Sequence, residues 1–223
     1  MIELKAQAPV GERAASPRWL LCGFWISLII ALAAVVRRLV ALTTPPHGAT
    51  SPAAELDSAF SSHAALTLLH IIPAAIFVIL AACLLLRSPT PSSLERFFFA
   101  FGLVTGVTAY LMSSFAVGGS IEIAAVLVFN TYFLFSLACA YLFWVRGDSE
   151  HKRQWMIRAV GILLGIATTR PVMGVFFATS KLTHLGPHEF FGIAFFIGFS
   201  INVAVTELWL RSKTRKAALK LGT

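Results

Sequence analysis

Charge is scarce in this 223-residue chain: only 13% of residues are Asp, Glu, Lys or Arg, about half the roughly 25% of an average soluble domain. That scarcity goes with 57% apolar residues and a mean hydropathy of +0.80. Together they exclude an ordinary soluble domain and intrinsic disorder. Cysteine is scarce too. Cys22, Cys83 and Cys139 lie within apolar runs and show no CxxC spacing, so they read as small buried hydrophobes and not as a disulfide or zinc framework. The chain lacks a Walker loop, GxGxxG, HExxH and GxSxG, which removes the common nucleotide, metalloprotease and hydrolase signatures. It also lacks internal repeats.

What is there is apolar and long. Six runs stand at about 19–42, 64–86, 97–117, 121–145, 156–179 and 188–210. Most reach the roughly 20 residues that cross a hydrocarbon core as a helix. Lipid offers no partner to a backbone polar group, and nothing here alternates like a barrel strand, so each run must be helical. The first run, Trp19 to Val36, is too long for a signal core and is followed by Arg37 and Arg38 in place of a cleavage pattern, so it reads as a retained helix. The predicted fold class is an all-α integral membrane protein. Its six-helix transmembrane bundle spans 18–210, between an N-terminal tail at 1–17 and a basic tail at 211–223.

The cations orient the bundle. There are 18 Lys and Arg against 10 Asp and Glu, for a formal +8. In a soluble protein that excess would suggest nucleic acid; here the positive-inside rule accounts for it, and no nucleic-acid partner is expected. Threaded through six spans, 14 cations fall on the side of the two chain ends, while only Arg37, Arg38 and Lys181 fall opposite. Both termini are therefore predicted to be cytoplasmic. Trp19, Trp144, Trp155 and Trp209 mark the same side, as an interfacial belt would. The basic tail, Arg211 to Lys216, suits anionic lipid at about 1 kcal/mol per cation near the surface. The segment 43–62, with Pro45, Pro46, Gly48 and Pro52, is expected to be an irregular external loop. Gly102 with Gly106 and Gly161 with Gly165 form two GxxxG pairs, suited to close helix contact within the bundle, in a homo-oligomer or in a membrane complex.

Two groups of residues could carry chemistry. His63, His70, His184 and His188, with His47 in the long loop, all fall on the external side by this topology. His63 and His70 are two helical turns apart and share a face. Imidazole ligates iron, copper and zinc, so these four could hold a metal, and His70 with His188 a haem b. The alternative is that they are interfacial histidines reaching for water. Arg170 lies about 14 residues into the fifth run, roughly 21 Å along a helix, and a central arginine costs about 2.5–3.5 kcal/mol to insert. It must therefore face the bundle or a cavity. Either it locks helices, through Glu122, Glu189 or the carbonyl near Ala167 that Pro171 frees, or it faces a ligand. Glu207 and Arg211 have the spacing of a structural i,i+4 pair.

The run His151 to Arg158, reading H-K-R-Q-W-M-I-R, followed by Arg170, together with His70-Ile71-Ile72-Pro73-Ala74, resembles an uncharacterised bacterial family of predicted multi-spanning membrane proteins. Its mark is an H-R-x-W-M-x-R motif and then an arginine in the next helix. The resemblance covers about residues 60–180 and maps onto His70, His151, Trp155, Met156, Arg158 and Arg170. Where the family often carries a second His-Arg-Trp-x-Gly segment, this chain has Leu94-Glu95-Arg96. The resemblance implies a helical membrane protein and no reaction. The expectation is thus a multi-pass protein of a bacterial inner (plasma) membrane with no assignable enzyme activity. Two roles compete: electron transfer through a haem or metal on the external histidines, and transport of a small anionic or amphipathic solute past Arg170. Membership of a larger membrane complex is a third.

Overall fold

The computed structural model describes residues 18–43, 52–86 and 91–221. Among them lie eight helices and no strand: α1 Arg18–Thr43, α2 Pro52–Ser61, α3 Ala64–Leu86, α4 Ser92–Ser113, α5 Gly119–Val145, α6 Ser149–Leu163, α7 Gly165–Thr183 and α8 Pro187–Leu221. α6 and α7 follow one another across Leu164 as a single broken span, so six segments are long and apolar enough to cross a membrane. The chain is an all-α, multi-pass helical bundle. The N-terminal tail 1–17 and His47 lie outside the described residues.

Several helices outrun their apolar runs, for local reasons. α4 begins at Ser92, five residues before the run at 97, because Pro91 is held extended at φ −63°, ψ 134° and its carbonyl accepts from Leu94 N at 3.1 Å. α6 begins at Ser149 because the Asp148 side chain caps it, accepting from His151 N at 3.1 Å. These polar first turns are invisible to hydropathy. The basic stretch after 210 is not a separate tail: α8 continues through it to Leu221, since nothing from Arg211 to Leu221 breaks a helix. The segment 43–62 is likewise not wholly irregular, because α2 occupies Pro52–Ser61.

Outward faces carry Ile29, Val36, Leu103, Leu127, Phe135 and Leu208, all exposed. In water such a surface would be a liability; against hydrocarbon it is the solvent-matched side. Inside, Phe77 stacks on Phe98 with centroids 4.4 Å apart and meets Phe133 edge-on at 5.5 Å, while Ala81, Ala125, Ala140 and Ala159 are fully buried where helices approach. Packing and small residues hold such a bundle, since lipid removes most of the hydrophobic drive between helices. Both GxxxG pairs sit at such contacts. Gly102 and Gly106 face Leu137 and Leu134 of α5, and Gly161 and Gly165 face Thr206 and Phe199 of α8. α1 is an edge helix, burying only Leu28 and Ala31, and it packs on α3 and α7.

The break at Leu164 is braced from α8. Ala167 N bonds back three residues to Leu164 O at 2.9 Å, and the ladder resets. Asn202 spans the reset: its Nδ2 donates to Gly161 O at 3.2 Å, and its Oδ1 accepts from Thr168 Oγ1 at 2.6 Å. A carboxamide thus stands in where the helix's own bonds lapse.

Candidate functional site

α1, α3, α4, α5, α7 and α8 line a partly open cavity of about 220 Å³ that α2 borders with Ala59 and Phe60. Its walls are mostly apolar, with Val35, Ala74, Val78, Ala125, Phe129 and Phe133 among them. Into this lining the fold sets a few polar groups: Arg38 from α1, His63 and His70 at the start of and within α3, Glu122 and Asn130 from α5, and Arg170 from α7.

Each polar group but one is anchored. Arg38 Nη1 donates to Asp57 Oδ1 at 2.6 Å, and its guanidinium lies 4.1 Å from the centroid of the Phe60 ring. Arg37 grips the same carboxylate with Nη1 at 3.1 Å and Nη2 at 2.9 Å. Two cations therefore share Asp57, which is itself buried, and that shared acid ties α2 to α1. Asn130 Nδ2 donates to Gly106 O at 2.8 Å. His70 Nδ1 lies 3.0 Å from Thr108 Oγ1. That hydroxyl also lies 2.7 Å from Val104 O, to which it donates.

The exception is Arg170. Its Nε is buried with no hydrogen-bond partner, and among the described residues no acidic side chain pairs with it. The charges that act on it are those of Arg38 and Arg37. The carboxylates expected to lock it are engaged elsewhere: Glu122 Oε2 accepts from Gly118 N at 2.7 Å, and Glu189 Oε2 from Gly186 N at 2.7 Å. Both glutamates stand at helix starts, where the backbone N–H groups and the dipole attract them. Glu122 still borders the cavity, and Glu189 does not.

The histidines do not converge as a metal set. His63 and His70 border the cavity, His184 and His188 do not, and among the described residues no group of three His, Cys, Asp or Glu could hold a metal ion. His63 lies against Phe115, centroids 3.6 Å apart. His184 closes α7 in a left-handed conformation, φ 56°, and His188 Nδ1 donates to Val117 O at 3.0 Å.

The motif run packs elsewhere, at the end of the bundle where α5 hands over to α6. His151 Nδ1 meets Asp148 Oδ2 at 2.7 Å. Together with the His151 backbone N–H, the first cause, this contact holds the Asp148 carboxyl below its ordinary value. Lys152 Nζ reaches Glu95 Oε1 at 2.6 Å. Met156 is buried, and Trp155 lies under the Arg158 guanidinium at 4.5 Å. Arg158 binds Glu207 through Nε at 2.7 Å, and the Tyr132 hydroxyl donates to the same carboxylate at 2.7 Å. Arg158, not Arg211, is therefore the hydrogen-bonded partner of Glu207. A second cavity of about 260 Å³ between α1, α6 and α8 opens at this end, and its cation, Arg153, donates to Leu85 O at 3.1 Å. Sequence reasoning missed Asp57 and Glu95: the first lay in a presumed loop, the second beside a run it was thought to precede.

No family model, no curated protein sequence and no solved structure matches this chain.

Proposed function

We propose that this is a multi-pass protein of the plasma (inner) membrane, both ends cytoplasmic, whose cavity receives a small anionic or amphipathic solute on Arg170 and gives it passage. The observation that carries the reading is Arg170 on the wall of a largely apolar cavity, its buried Nε without a hydrogen-bond partner and, among the described residues, no acid paired with it. Placing an arginine at such depth costs about 2.5–3.5 kcal/mol. Intramembrane cations of this kind mark ligand or ion pathways unless a carboxylate or carbonyl takes them up, and the charges that act on this one are those of Arg38 and Arg37. The lock reading loses its partners to Gly118 and Gly186. The haem or metal reading keeps only His63 and His70 at the cavity. Arg211 and Arg215, on the extension of α8, suit anionic lipid, while Lys213 lies 3.9 Å from Glu150.

Thermal unfolding in nanodiscs tests this with hexanoate and hexylammonium as probes. A ligand at 100 times its Kd adds about 2.7 kcal/mol of stability. Hexanoate should raise Tm in the parent and leave Arg170→Met unmoved, and hexylammonium should shift neither. Equal hexanoate shifts in parent and Arg170→Met would refute the reading.

A further inference from the structure

We propose that the cavity selects a short monocarboxylate of about five or six carbons, its carboxylate shared by Arg170 and Arg38 and its chain lying along the apolar wall of α3 and α5. This rests on the reading of Arg170 as a ligand contact and goes on to name the ligand class.

Size sets the chain. At roughly 30 Å³ per water-sized group, about 220 Å³ holds about seven non-hydrogen groups. A carboxylate uses three of them. The four or so that remain, with the carboxyl carbon, make an acid of about five carbons, close to hexanoate in size and much smaller than a phospholipid or a long fatty acid. Those walls ask for an alkyl or aromatic body: Ala74, Val78, Ala125, Phe129 and Phe133 line them.

Charge sets the head group. Arg38 and Arg170 are the cations on the cavity wall. Asp57 pairs with Arg38, and Glu122 on the same wall is bonded to Gly118 N. Among the described residues Arg170 has no ion-pair partner, and a monoanion answers that one charge. A dianion would over-fill it and bring its second charge toward Asp57 and Glu122. Geometry agrees, because a planar carboxylate matches the guanidinium fork better than a tetrahedral group does. Arg38 is well placed to share the head, since Asp57 and the Phe60 ring already hold its guanidinium at the cavity edge. Little side-chain freedom remains to be lost on binding.

The test measures affinity by ligand-induced thermal shift in nanodiscs for butanoate, hexanoate, octanoate and decanoate, with hexyl phosphate beside them. Affinity should rise about fourfold per methylene up to roughly hexanoate and then level off, and hexanoate should bind at least tenfold tighter than hexyl phosphate. Glu122→Gln keeps an acceptor for Gly118 N–H while removing a negative charge, and should narrow or reverse the preference for hexanoate over hexyl phosphate. Arg170→Lys, which retains the charge without the fork, should lose most of the hexanoate affinity. A steady rise through decanoate that Arg170→Lys leaves intact would show bilayer partitioning and overturn the proposal. Tighter binding of hexyl phosphate in the parent would overturn the ligand class while leaving Arg170 as an anion contact. No shift with any anion would overturn both the class and the reading beneath it.

Discussion

The two ends of the bundle use the same few charged residues in opposite ways. Where α5 hands over to α6, a buried and a half-buried carboxylate meet cations from other helices: Glu95 takes Lys152, and Glu207 takes Arg158 together with Tyr132. At the other end, Arg37 and Arg38 divide one carboxylate between them, and among the described residues Arg170 has none. Acids are not missing there. Glu122 and Glu189 stand nearby, but α5 and α8 both begin at that end, and the backbone N–H groups of Gly118 and Gly186, which have no helical partner there, take their carboxylates. Helix direction thus decides which acids stay at helix starts and do not pair with Arg170. A cation inside an apolar wall is costly unless something outside the chain answers it.

Deleting single charges breaks this comparison most sharply. Removing one partner of a buried pair typically costs about 3–5 kcal/mol, while replacing both by apolar residues is near neutral. Glu207→Leu should therefore lower unfolding stability in detergent by about 3 kcal/mol, somewhat less than a fully buried pair would lose, because a fifth of its side chain is still open. Adding Arg158→Met should restore most of the loss. Arg170→Met, by contrast, should leave stability within about 1 kcal/mol of the parent or raise it, since it removes an uncompensated charge. If Arg170→Met destabilises as much as Glu207→Leu, the two ends do not differ in the way described.

Helix number and type were legible because 20-residue apolar runs admit one solution in lipid. The glycine pairs were legible for a similar reason: small residues mark close backbone contact whatever the partner. Partners across the bundle were not legible. Glu207 sits four residues from Arg211 and 49 from Arg158, yet the distant cation wins, because local spacing on a helix surface says nothing about which neighbouring helix faces it. The same limit hid Asp57, and it let Glu122 and Glu189 stand as partners of Arg170. Arg170 itself was legible because its insertion cost demands an explanation from sequence alone.

A smaller effect lies at the seam between the ends of α5 and α8. An added Cβ on Gly192 would stand 2.8 Å from both Glu122 N and Gly118 O. These are backbone atoms that cannot rotate away. Gly192→Ala should cost about 1–3 kcal/mol, as overpacking does, and should weaken hexanoate binding by shifting Glu122. Gly174, also helical, has nothing within 4 Å of its added Cβ. Gly174→Ala should be neutral or stabilising by up to about 1 kcal/mol from helix propensity. Equal melting temperatures for the two variants would mean that the Gly118–Gly192 contact has slack.

The smallest effect belongs to the exposed turn before α6. Gly147, at φ 74°, reverses the chain, a conformation that costs glycine little. Asp148 follows in an extended conformation, with Oδ1 on His151 N and Oδ2 on His151 Nδ1. Those bonds favour the ionised carboxylate and depress its folded value. The unfolded chain therefore takes up this proton at a higher pH than the folded one. The contribution is complete above the ordinary carboxylate value near about 4 and is lost as pH falls through the folded value. Asp148→Ala should lower Tm at neutral pH by less than any destabilising change above. Asp148→Asn, which keeps the capping oxygen, should recover most of the difference. The gap between parent and Asp148→Ala should close on acidification below about pH 4. A gap that persists undiminished at about pH 2 would show that the side chain acts through packing and not through its charged cap.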